Sequence, residues 1–175
     1  LFVAGLAYLG SRSWKLAVGS MLSFALIGYF GMWEDTMSTI ALISVATLLC
    51  ILIGMPLGIW MAKSDRVQAI ITPILDVMQT IPIFVYLLPV LMLLGIGKVP
   101  GLIAVCVYAM PPMVRLTNLG IRLVDRDVLE AANAFGANDK QKLFGVQIPL
   151  ALPNIFAGIN QTIMMELAMV VIDSM

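Results

Sequence analysis

The chain has 175 residues, of which 61% are hydrophobic and 11% are charged, and its mean hydropathy is +1.03. A soluble domain has roughly 45–50% apolar and about 25% charged residues, so this composition excludes an ordinary soluble protein and indicates that lipid is the solvent. Ten basic and ten acidic residues cancel and histidine is absent, which argues against nucleic-acid binding and against hydrolase, metalloenzyme or redox chemistry.

Apolar stretches that can form membrane-spanning helices run through most of the chain, because a span needs about 20 mostly apolar residues. They lie at 1–10 (partial), 16–33, 37–62, 67–97, 99–114 and 150–175. We predict an all-α polytopic protein with one transmembrane domain over 1–175, and we expect the natural chain to continue beyond both ends. Prolines such as Pro56 and Pro82 indicate broken helices, as in a transporter or channel, although membrane helices are rich in proline anyway.

The lysine and arginine residues between the spans predict the orientation in the membrane. They occur at 11–15, at 63–66 and most densely at 115–147, and the positive-inside rule assigns these connections to the cytoplasm. The acidic pair Glu34–Asp35 and the connection 98–101 are then expected to face the outside.

Polar side chains recur at helical spacing in the segment 67–97, which we predict to be long and kinked. The members of this stripe are Gln68, Thr72, Asp76, Gln79 and Thr80. Because such side chains avoid lipid, we expect them at the inner interface or against a neighbouring helix. A place along a transport path is the alternative.

The stretch 115–147 holds nine of the twenty charged residues and predicts two short helices joined by a glycine. Asp127 and Glu130 have the spacing of a capping box, so a first helix is predicted over 128–135. Gly136 supplies the positive φ that ends a helix at little cost.

A second capping pattern follows directly in this insert. Asn138 and Gln141 predict the start of another helix, which we expect to end before Pro149. Such a helix, turn and helix on the inner face suits a docking surface for a cytoplasmic partner. The alternative is a solvated loop that joins two spans; a DNA-reading helix pair is excluded by five basic against four acidic residues.

A family resemblance rests on this insert and on shorter motifs around it. The segment Glu130-Ala-Ala-Asn-Ala-Phe-Gly136, followed by Val146-Gln-Ile-Pro149, resembles the EAA loop of the permease subunits of ABC importers. That pattern reads EAA, three residues, G, nine residues and I-x-L-P, and Val146 and Ile148 replace I and L conservatively. Further motifs resemble the glycine betaine/proline (quaternary amine) importer permeases: Phe30-Gly-Met-Trp33, Pro56-Leu-Gly-Ile-Trp60, Asp76-Val-Met-Gln-Thr80, Phe84-Val-Tyr86, Tyr108-Ala-Met-Pro-Pro112 and Asn160-Gln-Thr162.

The resemblance implies the helical bundle of a type I ABC importer permease and a subunit of a larger assembly. The implied partners are a second permease copy, a dimeric cytoplasmic ATPase and an extracytoplasmic solute-binding protein. ATP and Mg²⁺ are expected on the ATPase and no cofactor on this chain, which lacks a G-x-x-x-x-G-K-[ST] phosphate loop. The residues expected to couple to the ATPase are Asp127, Glu130, Ala131, Ala132, Gly136 and Pro149.

Two carboxylates in the last apolar run depart from the small residues that the resembling family generally has there. Glu166 and Asp173 are seven residues apart and share a helix face with Thr162 and Met169. A carboxylate at the centre of a membrane helix costs about 2.5–3.5 kcal/mol, so we expect this face to line a path that attracts a cationic headgroup. Alternatively, Glu166 is protonated or hydrogen-bonded to a neighbouring helix and Asp173 lies near the outer interface.

Aromatic residues complete the candidate path. Tyr86 and Tyr108, with Trp60, could bind a quaternary ammonium by cation–π contact, whereas interfacial anchoring is the alternative. The carboxylates would repel the anion of a betaine, which favours a solute without one, such as choline.

These observations predict a permease subunit in the cytoplasmic membrane of a bacterium or archaeon. We expect it to import a compatible solute such as glycine betaine, proline betaine or choline by alternating access, without covalent chemistry. The rival interpretations are an ion-coupled secondary transporter or channel that uses Glu166 and Asp173, and a membrane scaffold without transport activity.

Overall fold

The structure is a computed structural model that describes residues 14–95 and 97–173. The described part is helical and contains no strand, so the predicted all-α class is confirmed. The predicted partial span 1–10 lies outside the described residues. The helices are α1 (Trp14–Tyr29), α2 (Trp33–Lys63), α3 (Asp65–Thr80), α4 (Ile83–Leu94), α5 (Lys98–Arg122), α6 (Arg126–Ala134), α7 (Asp139–Lys142) and α8 (Ile148–Asp173), with a π-helical turn over Leu143–Gln147.

Several of these helices are long and apolar enough to cross a membrane. Within the described residues they are Trp33–Lys63, Lys98–Arg122 and Asp139–Val170, and the bent pair α3–α4 is a fourth candidate. The third segment runs through α7, the π-helical turn and α8. These spans confirm a polytopic membrane protein.

The long kinked segment predicted over 67–97 is broken into two helices in the structure. The segment forms α3 and α4, which are bent by 88° relative to each other. Ile81 precedes Pro82 and has extended backbone angles, φ −74° and ψ 130°. The residue before a proline is disfavoured in the α conformation, so α3 ends there and a new helix begins after the proline.

The span predicted to end at residue 114 continues as helix to Arg122. Two arginines lie in this extension beyond the predicted end, and both have ion-pair partners. Arg115 pairs with Asp76 of α3, and Arg122 pairs with Asp65 at the start of α3. The polar stripe on α3 therefore makes a charged contact with a neighbouring helix.

The chain divides into two compact units, Leu1–Ala41 and Leu42–Met175. The first contains α1 and the beginning of α2, where the rings of Phe24 and Trp33 meet edge to face with centroids 6.4 Å apart. The second contains the rest of α2, helices α3 to α8 and every candidate site residue within the described part.

Helix α5 lies at the centre of the second unit, between α2 and α8. Gly58 of α2 lies so close to α5 that an added Cβ would be 2.7 Å from Val114 O. On the other side of α5, a Cβ on Gly120 would lie 2.8 Å from Asn154 Cβ of α8. Small residues at such positions let membrane helices approach closely. One buried cluster comprises Ala46, Cys50, Ala104, Val105, Cys106, Ala109 and Met169.

Candidate functional site

Helix α6 carries the EAA motif and begins earlier than predicted. Its N-cap is Asp125, whose Oδ1 accepts a hydrogen bond from the Asp127 N–H at 3.0 Å. The predicted capping box between Asp127 and Glu130 is therefore wrong, and the helix spans Arg126–Ala134 rather than 128–135. Two aspartates two positions apart are competing caps, and the earlier one caps the helix, so Asp127 already lies in the first turn.

The surface of α6 is open to its surroundings. None of its residues is buried, Glu130 and Ala131 are exposed, and Ala132 is half-buried. Phe135, which follows the helix, is 92% exposed. A single exposed apolar side chain is common, so this exposure shows only that the end of α6 is accessible.

Gly136 ends this segment in the way predicted from the sequence. Its φ is +75°, and its N–H donates to Asn133 O at 2.9 Å. The next N–H, that of Ala137, donates to Ala132 O at 3.0 Å. A left-handed residue with these two bonds satisfies carbonyls that would otherwise lack partners at a helix end.

The second predicted capping box is confirmed. Asn138 Oδ1 accepts from the Gln141 N–H, and Gln141 Oε1 accepts from the Asn138 N–H, both at 2.9 Å. Asp139 and Lys142 of the same short helix form an ion pair at 2.8 Å. This start fixes the position of the chain as it turns back toward the membrane.

The second helix was predicted to end before Pro149, and this prediction is wrong. The chain continues through the π-helical turn Leu143–Gln147 into α8, and the Ile148 N–H donates to Leu143 O. A proline in an α-helix loses one hydrogen bond and crowds the carbonyl four residues before it. A wider π-helical turn directly ahead of Pro149 accommodates both effects, so the helical path is not interrupted.

A cavity of about 380 Å³ lies among the coupling insert and the end of α2. Its lining residues are Lys63, Leu129, Asn133, Asp139, Lys142 and Gln147. Across the described ranges 14–95 and 97–173, no group of three histidine, cysteine, aspartate or glutamate residues is placed to hold a metal ion.

Glu166, the first path candidate, is completely buried in α8. Its Oε2 accepts a hydrogen bond from the Thr47 hydroxyl of α2, while its Oε1 is buried and has no hydrogen-bond partner among the described residues. Thr47 was not predicted; the signal available was a hydroxyl within an apolar span. The carboxyl group therefore joins α8 to α2.

The other path candidates fall in several places. Thr162 and Met169 are buried on α8, where the Thr162 hydroxyl donates to Ala109 O of α5 at 3.2 Å. Tyr108 packs partly buried against the cluster that contains Met169. Tyr86 of α4 donates its hydroxyl to Met78 O at 2.7 Å. The side chain of Asp173, at the end of α8, lies outside the described part of the structure.

This combination of apolar spans, central helix packing and an exposed EAA insert defines an ABC transporter permease. Residues 54–172 match the family described as the binding-protein-dependent transport system inner membrane component, and the chain belongs to this family. The predicted resemblance is thereby confirmed.

Particular relatives are permeases for betaines. The chain is 53% identical over 160 residues to the glycine betaine/proline betaine transport system permease protein ProW of Escherichia coli, covering 91% of this chain and 45% of ProW. It is 49% identical over 164 residues to the glycine betaine/carnitine transport permease protein GbuB of Listeria monocytogenes, covering 94% and 58% of the two chains. The chain thus spans about half the length of these relatives.

Solved structures of ABC transporters share the fold. The inward-facing MetNI methionine ABC transporter superposes with a TM-score of 0.68 at 20% identity, over 77% of this chain and 69% of that chain. An amino acid ABC transporter with histidines superposes with a TM-score of 0.57 at 23% identity, over 83% and 75% of the two chains. The predicted ABC permease bundle is confirmed at the level of the fold.

Proposed function

We propose that this chain forms the translocating part of a permease subunit that imports a compatible solute by alternating access. The solute class is quaternary amines such as glycine betaine, proline betaine or choline. The exposed EAA helix α6 is the observation that carries the proposal, because a transporter driven by its own ion gradient has no need of a docking helix for a separate motor. Sequence identity near 50% to betaine permeases supports the solute class.

The partners follow from the same observation. A cytoplasmic ATPase dimer holds ATP and Mg²⁺ and docks on the insert, and an extracytoplasmic binding protein delivers the solute. A second permease subunit completes the path; we propose a second copy of the same chain. The insert then faces the cytoplasm, in agreement with its lysine and arginine residues.

Coupling is assigned to the exposed residues of the insert. Closure of the ATPase dimer displaces α6 through contacts with Glu130, Ala131 and Ala132, and the left-handed Gly136 holds the end of that helix in place. Asp127 in the first turn of α6 and Pro149 beyond the π-helical turn complete the set. Since only residues 123–125 separate the insert from α5 and a continuous helical path joins it to α8, a displacement there reaches the spans.

The deciding experiment measures what drives uptake. The complete complex, with ATPase and binding protein, is reconstituted in vesicles, and uptake of radiolabelled glycine betaine is followed with ATP, without ATP, and with an ionophore. We expect uptake to require ATP on the side of the vesicle membrane that carries the ATPase, and to continue when ion gradients are dissipated. Uptake that persists without ATP and collapses with the ionophore would establish the ion-coupled alternative instead.

Lining of the path by Glu166, Thr162 and Met169 stays a prediction. All three are buried in this conformation, so a path role requires α8 to separate from α2 or α5 during transport. For Glu166→Ala we expect a lower uptake rate with an unchanged amount of assembled complex. Wild-type uptake kinetics in reconstituted vesicles would contradict a role for this carboxylate in the path.

A further inference from the structure

Arg122, the last residue of α5, makes polar contacts with three helices. Its Nε donates to Asn118 Oδ1 on α5 itself at 3.1 Å. Its Nη2 donates to Met61 O near the end of α2 at 3.0 Å and lies 2.7 Å from Asp65 Oδ1 in the first turn of α3. One side chain therefore fastens the α2–α3 turn to the end of α5.

The contact to Met61 is the part that depends on arginine. The last carbonyls of a helix lack partners within it, and Met61, itself 2% exposed, is near the end of α2, where its O accepts, among the described residues, only a long bond from the Ser64 N–H, at 3.4 Å, besides the one from Arg122. Asn118 is buried and orients the guanidinium from one side. A guanidinium donates in several fixed directions at once, whereas an ammonium is a single point charge on a flexible stem.

The ion pair with Asp65 cannot account for the arrangement by itself. The Asp65 side chain is 89% exposed, and ion pairs in water contribute little. The guanidinium of Arg122 is therefore held in place mainly by its hydrogen bonds to Asn118 and Met61, and the Asp65 carboxylate helps to orient it.

Arg122 also stands directly before the coupling helix. Only residues 123–125 separate it from α6, and this linker is held to α5 by the bond from the Leu123 N–H to Leu119 O at 2.9 Å. Val124 in the middle of the linker is buried. Because the linker is short and held against α5, a displacement of α6 also displaces the end of α5.

We propose that Arg122 is a positioning residue that transmits the movement of α6 to the α2–α3 turn. Through its contacts, α2, α3 and α5 move as one group when the coupling helix is displaced. The inference rests on the proposed function, since it presupposes that a partner moves α6.

The test compares Arg122→Gln with wild type in the complete complex, including the ATPase and the binding protein, in vesicles. The measured quantities are radiolabelled glycine betaine transported per ATP hydrolysed, the amount of assembled complex and its thermal midpoint. We expect the transported solute per ATP to fall about five- to tenfold, the range of a modest coupling free energy, with assembly unchanged. Arg66→Gln is the matched control, because it removes the same charge from an exposed position next to Asp65.

Several outcomes would overturn the proposal. One is an unchanged ratio of solute transported per ATP in Arg122→Gln, which includes an equal fall of uptake and hydrolysis of the kind that loss of assembled complex produces. If Arg122→Gln does not assemble, Arg122→Lys is tested instead, because it keeps the positive charge but lacks the several fixed donors of the guanidinium. The proposal then requires that Arg122→Lys assembles and transports less solute per ATP hydrolysed. A wild-type ratio in Arg122→Lys, or failure of both variants to assemble, contradicts the proposal. Failure of wild-type uptake to need ATP would instead overturn the proposed function.

Discussion

Gly58 determines how closely α2 can approach α5. It forms a G-x-x-x-G motif with Gly54, and a Cβ on Gly54 would lie 3.1 Å from Met113 Cγ. The motif is visible in the sequence and is a known signal for close packing of membrane helices. In this span only Pro56 was interpreted from the sequence, as a sign of a broken helix.

Replacement of Gly58 by alanine should destabilise the second unit. The new Cβ would lie 2.7 Å from both Thr117 Cβ and Val114 O, and the backbone oxygen cannot move away without shifting α5. We expect a loss of about 1–3 kcal/mol, as in other overpacked cores, measured as a lower thermal midpoint of the purified complex. Gly19→Ala is the control, because a Cβ there meets nothing within 4 Å. Equal midpoints for the two variants would show that α2 and α5 are not in this close contact.

Among the helices, the coupling insert shows most clearly what local sequence determines. The second capping box and the left-handed glycine were predicted correctly, because both depend on bonds within a few residues along the chain. The start of α6 was misplaced, since Asp125 and Asp127 offer nearly the same local bond. The continuation through Pro149 was missed because the π-helical turn that permits it has no distinctive residue pattern.

Contacts between distant parts of the chain account for the rest. The contacts of Arg122 with Met61 and Asp65, and the contact of Glu166 with Thr47, join residues far apart in sequence. The charge on Arg115 and Arg122 suggested the end of a span, whereas paired guanidiniums are tolerated at the end of α5. The class of fold was predictable from composition, and these side-chain partners were not.

Gly136→Ala should loosen the end of α6 for a conformational reason alone. A Cβ at this position meets nothing within 4 Å, but φ is +75°, where a side chain is disfavoured. We expect a cost of about 1 kcal/mol, seen as roughly fivefold faster hydrogen exchange of the amides that follow α6. Gly145→Ala is matched to it, because its Cβ also meets open space and its φ is not positive. The same exchange rates in both variants would contradict the left-handed conformation.

At the scale of the whole molecule, the two ends of α5 should lie on opposite sides of the membrane. The helix has 25 residues, Lys98–Arg122, and a rise of about 1.5 Å per residue is enough to cross the hydrocarbon core. The basic residues near its end and in the insert favour the cytoplasm for that side.

Labelling with a membrane-impermeant maleimide tests this orientation. Val99 is 61% exposed at the start of α5, and Phe135 is 92% exposed after α6. With Cys50 and Cys106 replaced by alanine, we expect Val99→Cys to react in intact cells and Phe135→Cys to react only in inside-out vesicles. Reaction of both variants from the same side would contradict the proposed orientation.

The π-helical turn Leu143–Gln147 has a consequence for the direction in which the insert points. A π-helical turn is equivalent to one extra residue in an otherwise regular helix, and one residue corresponds to about 100° of rotation about the axis. Deletion of Gly145 would restore a plain helix and shift by that angle the direction in which the chain runs from α7 into α8, whereas the linker 123–125 keeps α6 at the end of α5. The position of α7 around the axis of α8, and with it one end of the docking surface, is therefore set by the one extra residue of the π-helical turn.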